Sequence, residues 1–422
     1  MTEDDPALAF LQSAQFRVYC LNLLEAGLPP AETYQRILDF IRRSGVDEEA
    51  CAKVEAAVAP DEDGQQAGTF NFRAFSEAVE AASCVLRAVK RLARSQHQDG
   101  GWGAQVEQSD LWHTSCALLA LGEARRSEEL VCDVPVSPCL SRGYAYLEHN
   151  ADRWAADALE AEGAVPVHHL ALAARCFFSG GREFLRRDTA VRLYRSLDHL
   201  ARAQNQDGGW YACLWGDGVM APRGVCSEVA ATGAAMQALA LAKADRFLPI
   251  VIKAAQWLLN TQNLDGSWND GSVRPDLPPF TLTGDGRVTK TCDALAGLAA
   301  LGSFDQSLKS YQGAMRRAAG WIEERMRPVF TRRGSPKGWA WGYRGEDYEN
   351  AALVLETLLE LPRLAPSLAS SAAAWLMETQ RRQEGDVEDG AWVLGPTARI
   401  TAALAGYYPA LRGPLLDNRW LP

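Results

Sequence analysis

Excess positive charge is the first thing missing from these 422 residues: 43 Lys and Arg stand against 53 Asp and Glu, a formal net charge of −10. Affinity for nucleic acid rests on a basic surface that neutralises phosphates, so nucleic acid is excluded as the expected partner. Short-spaced cysteine pairs are missing too. The ten cysteines, Cys20, Cys51, Cys84, Cys116, Cys132, Cys139, Cys176, Cys213, Cys226 and Cys292, are scattered, without the spacing of a zinc knuckle or ribbon. Several lie in apolar helical stretches, where a free thiol is an ordinary small core residue. They read as reduced, which implies a cytoplasmic protein. No apolar run reaches bilayer-spanning length, and the opening MTEDDPALAF is acidic where a secretory leader is basic. The expectation is a protein neither exported nor integral to a membrane, with peripheral membrane contact left open.

What the chain has in quantity is repetition. One turn recurs as SQHQDGGWG around Gln96 to Gly103, AQNQDGGWY around Gln204 to Tyr211 and TQNLDGSWN around Gln262 to Asn269, and near copies of one loop mean internal repeats. Each ends an amphipathic segment, Leu86 to Gln96, Leu193 to Gln204 and Ile252 to Gln262, with apolar residues three and four apart. The Asp-Gly pair supplies the positive φ that stops a helix, leaving Gln and Trp to tie one hairpin to its neighbour. A second, Ala- and Leu-rich helix follows, with HTSCALLAL at His113, ATGAAMQALAL at Ala231, TCDALAGLAAL at Thr291 and ENAALVLETLLEL at Glu349. Leu121, Leu241, Leu301 and Leu361 close these helices at a period of about sixty residues, and PVHHLALAARCFF at Pro166 supplies the copy this period requires near residue 180.

A last pair, Leu368 to Gln380 and Ala398 to Tyr407 around a degraded turn at Glu388 to Trp392, completes six outer and six inner helices when Cys139 to His149 and Leu308 to Met326 are counted. Six pairs close a ring. The small, apolar helices form the inner wall and the charged ones the wet wall, giving an all-α (α/α)6 toroid over residues 68–422. Residues 1–67 read as an N-terminal helical extension ending in the polar stretch Asp61 to Gly68. They cap the barrel or bind a protein partner.

These turns resemble the Gln-Trp repeats of squalene and terpene cyclases and of protein prenyltransferase β-subunits, over about residues 70 to 410. The resemblance implies the barrel, and an isoprenoid as the hydrophobic ligand of its cavity. Prenyltransferases hold zinc with Asp, Cys and a later His, but here no His follows His199 and Asp293 directly follows Cys292, so no metal site is carried over and that reading ranks last. Class II cyclases protonate an alkene with an Asp of a D-x-D-D motif, and no complete copy is present. Two positions are analogous, DLWHTSCALLAL from Asp110 and TKTCDALAGL from Thr289.

Aligning the closing leucines puts Asp293 at the place of His113. The catalytic candidates are therefore Asp293, Asp110 and His113, with Asp110 also fitting the ordinary role of helix N-cap. An acid in an Ala-Leu wall costs stability unless used or paired, which favours Asp293. Carbocations are guided by aromatic faces; Trp112, Trp341, Tyr343 and Tyr348, with Glu228 and Glu349, are the candidates for binding substrate. Mg²⁺ enters only if the substrate carries a diphosphate, which the basic loop Arg332 to Lys337 can grip, and no other cofactor is expected. The expected function is acid-initiated cyclisation of an isoprenoid; the alternative is a catalytically silent toroid binding a lipid, peptide or partner protein.

Overall fold

The computed structural model describes residues 19, 30–43, 52, 72–105, 108–126, 134–155, 164–215, 226–269, 286–302, 309–325, 327–330, 336–340, 348–361, 366–385 and 394–416. Ahead of the repeats stands α1, Pro30–Arg43, on which Tyr19 stacks against Phe40. The paired helices follow as α2 Phe72–Arg94, α3 Leu111–Arg125, α4 Val136–His149, α5 Val167–Arg175, α6 Arg187–Arg202 and α7 Val229–Leu241. The series continues with α8 Leu248–Thr261, α9 Gly286–Gly302, α10 Lys309–Glu324, α11 Tyr348–Leu359, α12 Pro366–Gly385 and α13 Leu394–Leu416. The odd-numbered helices from α3 to α13 contact one another in sequence, and α13 returns to α3. The ring is closed, and the even-numbered helices pack outside it, as the toroid expectation requires.

Residue type explains the two walls. Outer helix α6, RDTAVRLYRSLDHLAR, buries one stripe through Leu193, Leu197 and Leu200 and leaves its charges wet. Inner helix α7, VAATGAAMQALAL, is apolar around nearly its whole circumference, as a helix flanked on every side must be. Small residues set the spacing. A Cβ on Gly233 would lie 2.2 Å from the Asp293 carbonyl oxygen, so α7 and α9 cross in direct backbone contact at the level of Asp293.

The three turns carry one set of bonds. Gln96, Gln204 and Gln262 each donate from Nε2 to a glycine carbonyl of their own turn and to a carbonyl of the next outer helix, Cys139, Ile250 or Ala314. The indoles of Trp102, Trp210 and Trp268 donate at 2.8 Å to the carbonyls of Leu92, Leu200 and Leu258. Their backbone N–H groups donate to Thr114, Thr232 and Thr291 hydroxyls on the following inner helix. Gly100, Gly208 and Gly266 take φ of 89°, 103° and 92°, a region other residues enter only with strain. The degraded turn at Glu388 to Trp392 lies outside the described residues.

Antiparallel strand pairs are the feature the sequence did not announce: β1 Trp102–Gln105 with β2 Gln108–Asp110, β3 Ala164–Pro166 with β4 Cys213–Trp215, and β5 Arg327–Phe330 with β6 Pro336–Ala340. The first two pairs run directly into α3 and α5, so they fix the start of inner helices.

Candidate active site

All six inner helices enter the ring at the same end. Side chains from all six inner-wall segments line a cavity of about 460 Å³ that includes Trp112, His168, Glu228, Lys290, Asp293 and Arg399. A second chamber, of about 590 Å³, lies toward their C-terminal ends and includes Glu123, Arg126, Ser179 and Lys243. Arg175, Gln237, Glu356 and Glu360 line both, and form the waist between them. Both volumes fall in the usual range for small-molecule sites.

Of the acid candidates, Asp293 lines the N-terminal chamber. Asp110 and His113 do not. Asp110 is the N-cap of α3: its Oδ1 accepts the His113 backbone N–H at 2.8 Å, and its Oδ2 meets His113 Nδ1 at 2.6 Å. The equivalent N-cap of α7, Glu228, makes no such capping bond and its side chain lines the cavity.

The hydroxyl anchors revise the register read from leucines. Thr114, Thr232 and Thr291 take the same bond, which aligns His113 with Ala231 and Lys290. Asp293 lies three residues further along, at the level of Cys116 and Ala234, so it is no counterpart of His113. The leucines misled because their distance from the anchoring threonine differs between repeats.

Trp112 lies in the cavity wall, with the His168 ring edge-on at 6.2 Å and the Arg399 guanidinium over its face at 5.0 Å. Trp341 and Tyr343 lie outside the described residues, as do the side chains of Tyr348 and Glu349. The sequence reading assigned no role to Glu356, Glu360, Arg175, Lys290, Gln237 or Arg399, although a signal was available. Glu356 and Glu360 stand four apart in an otherwise Ala- and Leu-rich inner helix, and the burial cost invoked for Asp293 applies equally to them.

Electrostatics follow from this enclosure. Glu360 can be reached by cavity water but is surrounded by protein. Burial pushes its carboxyl up to about 7; neighbouring Glu356 and Glu123 add to the rise and Arg175 opposes it. Burial likewise raises Glu123, against the opposing charges of Arg126, bonded at 2.7 Å, and Arg175. His168, accessible from the cavity yet packed among side chains, is pushed down to about 4 by burial, with His169 and Lys290 adding to the fall. Burial raises the Cys116 and Cys176 thiols to about 11 and about 12, and raises Cys292 further still. These are core thiols rather than nucleophiles. No three His, Cys, Asp or Glu among the described residues are grouped to hold a metal ion.

One arrangement resembles a catalytic relay but is part of the turn. His97 Nδ1 lies 3.0 Å from Ser109 Oγ, which donates to Asp99 at 2.7 Å. Asn205, Ser227 and Asp207 make the same connection in the second turn, and Asn263, Ser267 and Asp265 in the third. His97 therefore fills an asparagine's bracing place.

Known proteins fit this geometry. The squalene-hopene cyclase C-terminal domain family matches residues 172–345, a span that holds Arg175, Glu228, Gln237, Lys290 and Asp293. A "Probable squalene--hopene cyclase" of Sinorhizobium fredii is 26% identical over 277 residues, 58% of this chain and 39% of that protein. The chain is terpene-cyclase-like. It spans well under half the length of that curated relative. Among solved structures, a variant of the type II terpene cyclase MstE from Scytonema, in complex with geranylgeranyl dihydroxybenzoate, is 14% identical, with TM-score 0.53 over 79% of this chain and 99% of that one. An unsaturated glucuronyl hydrolase specific for heparin gives TM-score 0.56 at 13% identity over 79% of this chain and 98% of that one. At such identities these likenesses establish the toroid alone. Among the described residues no helix is long and apolar enough to cross a membrane.

Proposed function

We propose that this chain is a class II cyclase-like enzyme that cyclises an isoprenoid in its axial cavity by acid initiation. The observation carrying the reading is the convergence of carboxylates from three of the inner-wall segments on one cavity, Glu228 before α7, Asp293 on α9 and Glu356 on α11. Protonating a carbon needs a carboxylic acid held against the substrate, and this lining supplies the candidates.

In this reading Asp293 faces the reacting part of the substrate, Trp112 lends a ring face to positive charge, and Glu228 holds a polar group near the entrance. Trp341 and Tyr343 before α11, with Tyr348 and Glu349 at its start, would complete the lining. Asp110 and His113 would act only by fixing the start of α3 and hence Trp112. Residues 1–67 stand outside this unit as a separate extension.

The test is incubation of the protein with geranylgeranyl diphosphate, farnesyl diphosphate and squalene, with and without Mg²⁺, followed by product analysis for wild type and Asp293→Asn. Cyclic product from one substrate, reduced about 100-fold or more in the variant, supports the reading. A binding role for the toroid is favoured by a different observation, the charged character of the lining, where Lys290, Arg399 and Arg175 accompany the acids. It predicts no product, together with a small molecule retained through purification.

A further inference from the structure

The waist between the two chambers has a use that the Asp293 reading leaves open. Glu360 follows the last turn of α11, one turn beyond Glu356 on the same face, and both reach the waist together with Arg175 of α5. Helices α3, α5, α7, α9 and α11 end at this chamber, so their dipoles place negative potential around Glu360. Glu123 of α3 and Glu356 add negative charge; Arg175, Arg126 after α3 and Lys243 after α7 oppose it. α9 and α13 contribute only the small, uncharged Ala299, Ala300, Ala402 and Gly406 here.

We infer that Glu360 is the acid that delivers the starting proton, with Glu356 and Arg175 as positioning residues and the C-terminal chamber as its route of reprotonation from solvent. This deepens the cyclase reading and rests on it. The surroundings raise the carboxyl to about 7, so a substantial share stays neutral near pH 7, the form a proton donor needs. The substrate-facing chamber lies on one side of this carboxyl and the second chamber on the other, so the acid can be reloaded from the side away from the reacting carbons.

The step balances without a co-reactant. The Glu360 O–H bond breaks as its proton bonds to one alkene carbon; the π electron pair forms the new C–H bond and leaves a cation on the other carbon. Ring closure moves that cation along the chain, and a neighbouring C–H finally gives its proton to a base in the wall and its electron pair to a new alkene. Neutral His168, on the substrate side, is suited to take that proton. The net change is an isomerisation.

Two measurements on the full chain test the inference. The first is the rate of product formation from the substrate identified above, between pH 5.5 and 8.5, in wild type, Glu360→Gln, Glu360→Asp and Asp293→Asn. Wild type should lose about tenfold per pH unit above about 7. Asp293→Asn should be slower but keep that limb, Glu360→Gln should lose about 100-fold or more together with the limb, and Glu360→Asp should restore part of both. A Glu360→Gln enzyme with the wild-type limb overturns the assignment while leaving the cyclase reading intact.

The second is infrared difference spectroscopy of the ligand-free protein, wild type against Glu360→Gln. A carboxylic-acid band present at pH 6, lost by pH 8.5 and absent from the variant is expected. A Glu360 already ionised at pH 5 overturns the assignment whatever the product assay gives. A protonated Glu360 with no product from any of the three substrates instead removes the cyclase reading and this role with it.

Discussion

The turns and the cavity of this ring obey opposite rules. In the three described turns the same bonds recur, nearly all from the same residues, so Gln, Asp, Gly and Trp repeat and the Trp indole bonds have the same 2.8 Å length. In the cavity the repeats diverge at several equivalent positions. The residue two before the anchoring threonine is Trp112, Ala230 or Thr289, and the one five after it is Leu119, Gln237 or Ala296. Repetition serves closure, which needs identical joints. Divergence serves recognition, which needs a different group at each point of a ligand.

Substitutions can break this contrast. Trp210 is buried at 1% exposure, and Trp210→Ala should cost about 3–5 kcal/mol of unfolding free energy in a urea titration; a loss below about 1 kcal/mol would show that the turns are not structural joints. Thr232→Val leaves the buried Trp210 N–H without its acceptor and should cost about 1–3 kcal/mol. Gly208→Ala places a side chain at φ 103° and 2.7 Å from the Lys253 carbonyl oxygen, so a cost of about 1–3 kcal/mol is expected from the backbone strain alone. Asp110→Ala removes a helix cap, about 1 kcal/mol. Glu228→Ala, at the equivalent position without a capping bond, should change stability by less than Asp110→Ala does; an equal loss would erase the distinction drawn between them.

The smallest effects are those of pH. Glu360 is raised from 4.5 to about 7, so its contribution to stability is full below about 4.5 and is lost as pH rises through about 7. Glu360→Gln should therefore melt higher than wild type at pH 8 and little higher at pH 5, with the gain at pH 8 reduced by solvent screening of this exposed carboxyl. His168 is lowered to about 4; its contribution is present above about 6.5 and is lost as pH falls through 4, so His168→Gln should reduce acid sensitivity. Melting curves of the two variants across this range should shift in opposite directions, and parallel shifts would contradict both assignments.

Much of the ring was legible because a turn that must be copied leaves copied letters. The Gln-x-x-Asp-Gly pattern marked where outer helices stop, and the Ala-Leu helices marked the inner wall. Register was not legible, because the closing Leu lies 7, 9 and 10 residues after the anchoring Thr in the three repeats. A leucine alignment absorbed that variation in the wrong place and set Asp293 against His113. Glu356 and Glu360 escaped for another reason. Two glutamates four apart look like a solvated helix face, and only closure of the ring turns that face inward.

The central claim is that the axial cavity is where an isoprenoid is cyclised. Ala234 lines that cavity from α7, so Ala234→Trp fills it while leaving every acid of the lining unsubstituted. Product formation should be measured for wild type and this variant at equal folded concentration, with geranylgeranyl diphosphate, farnesyl diphosphate and squalene. The account predicts a cyclic product from wild type and its loss in Ala234→Trp. Equal product from both, or none from wild type with any of the three, would contradict it.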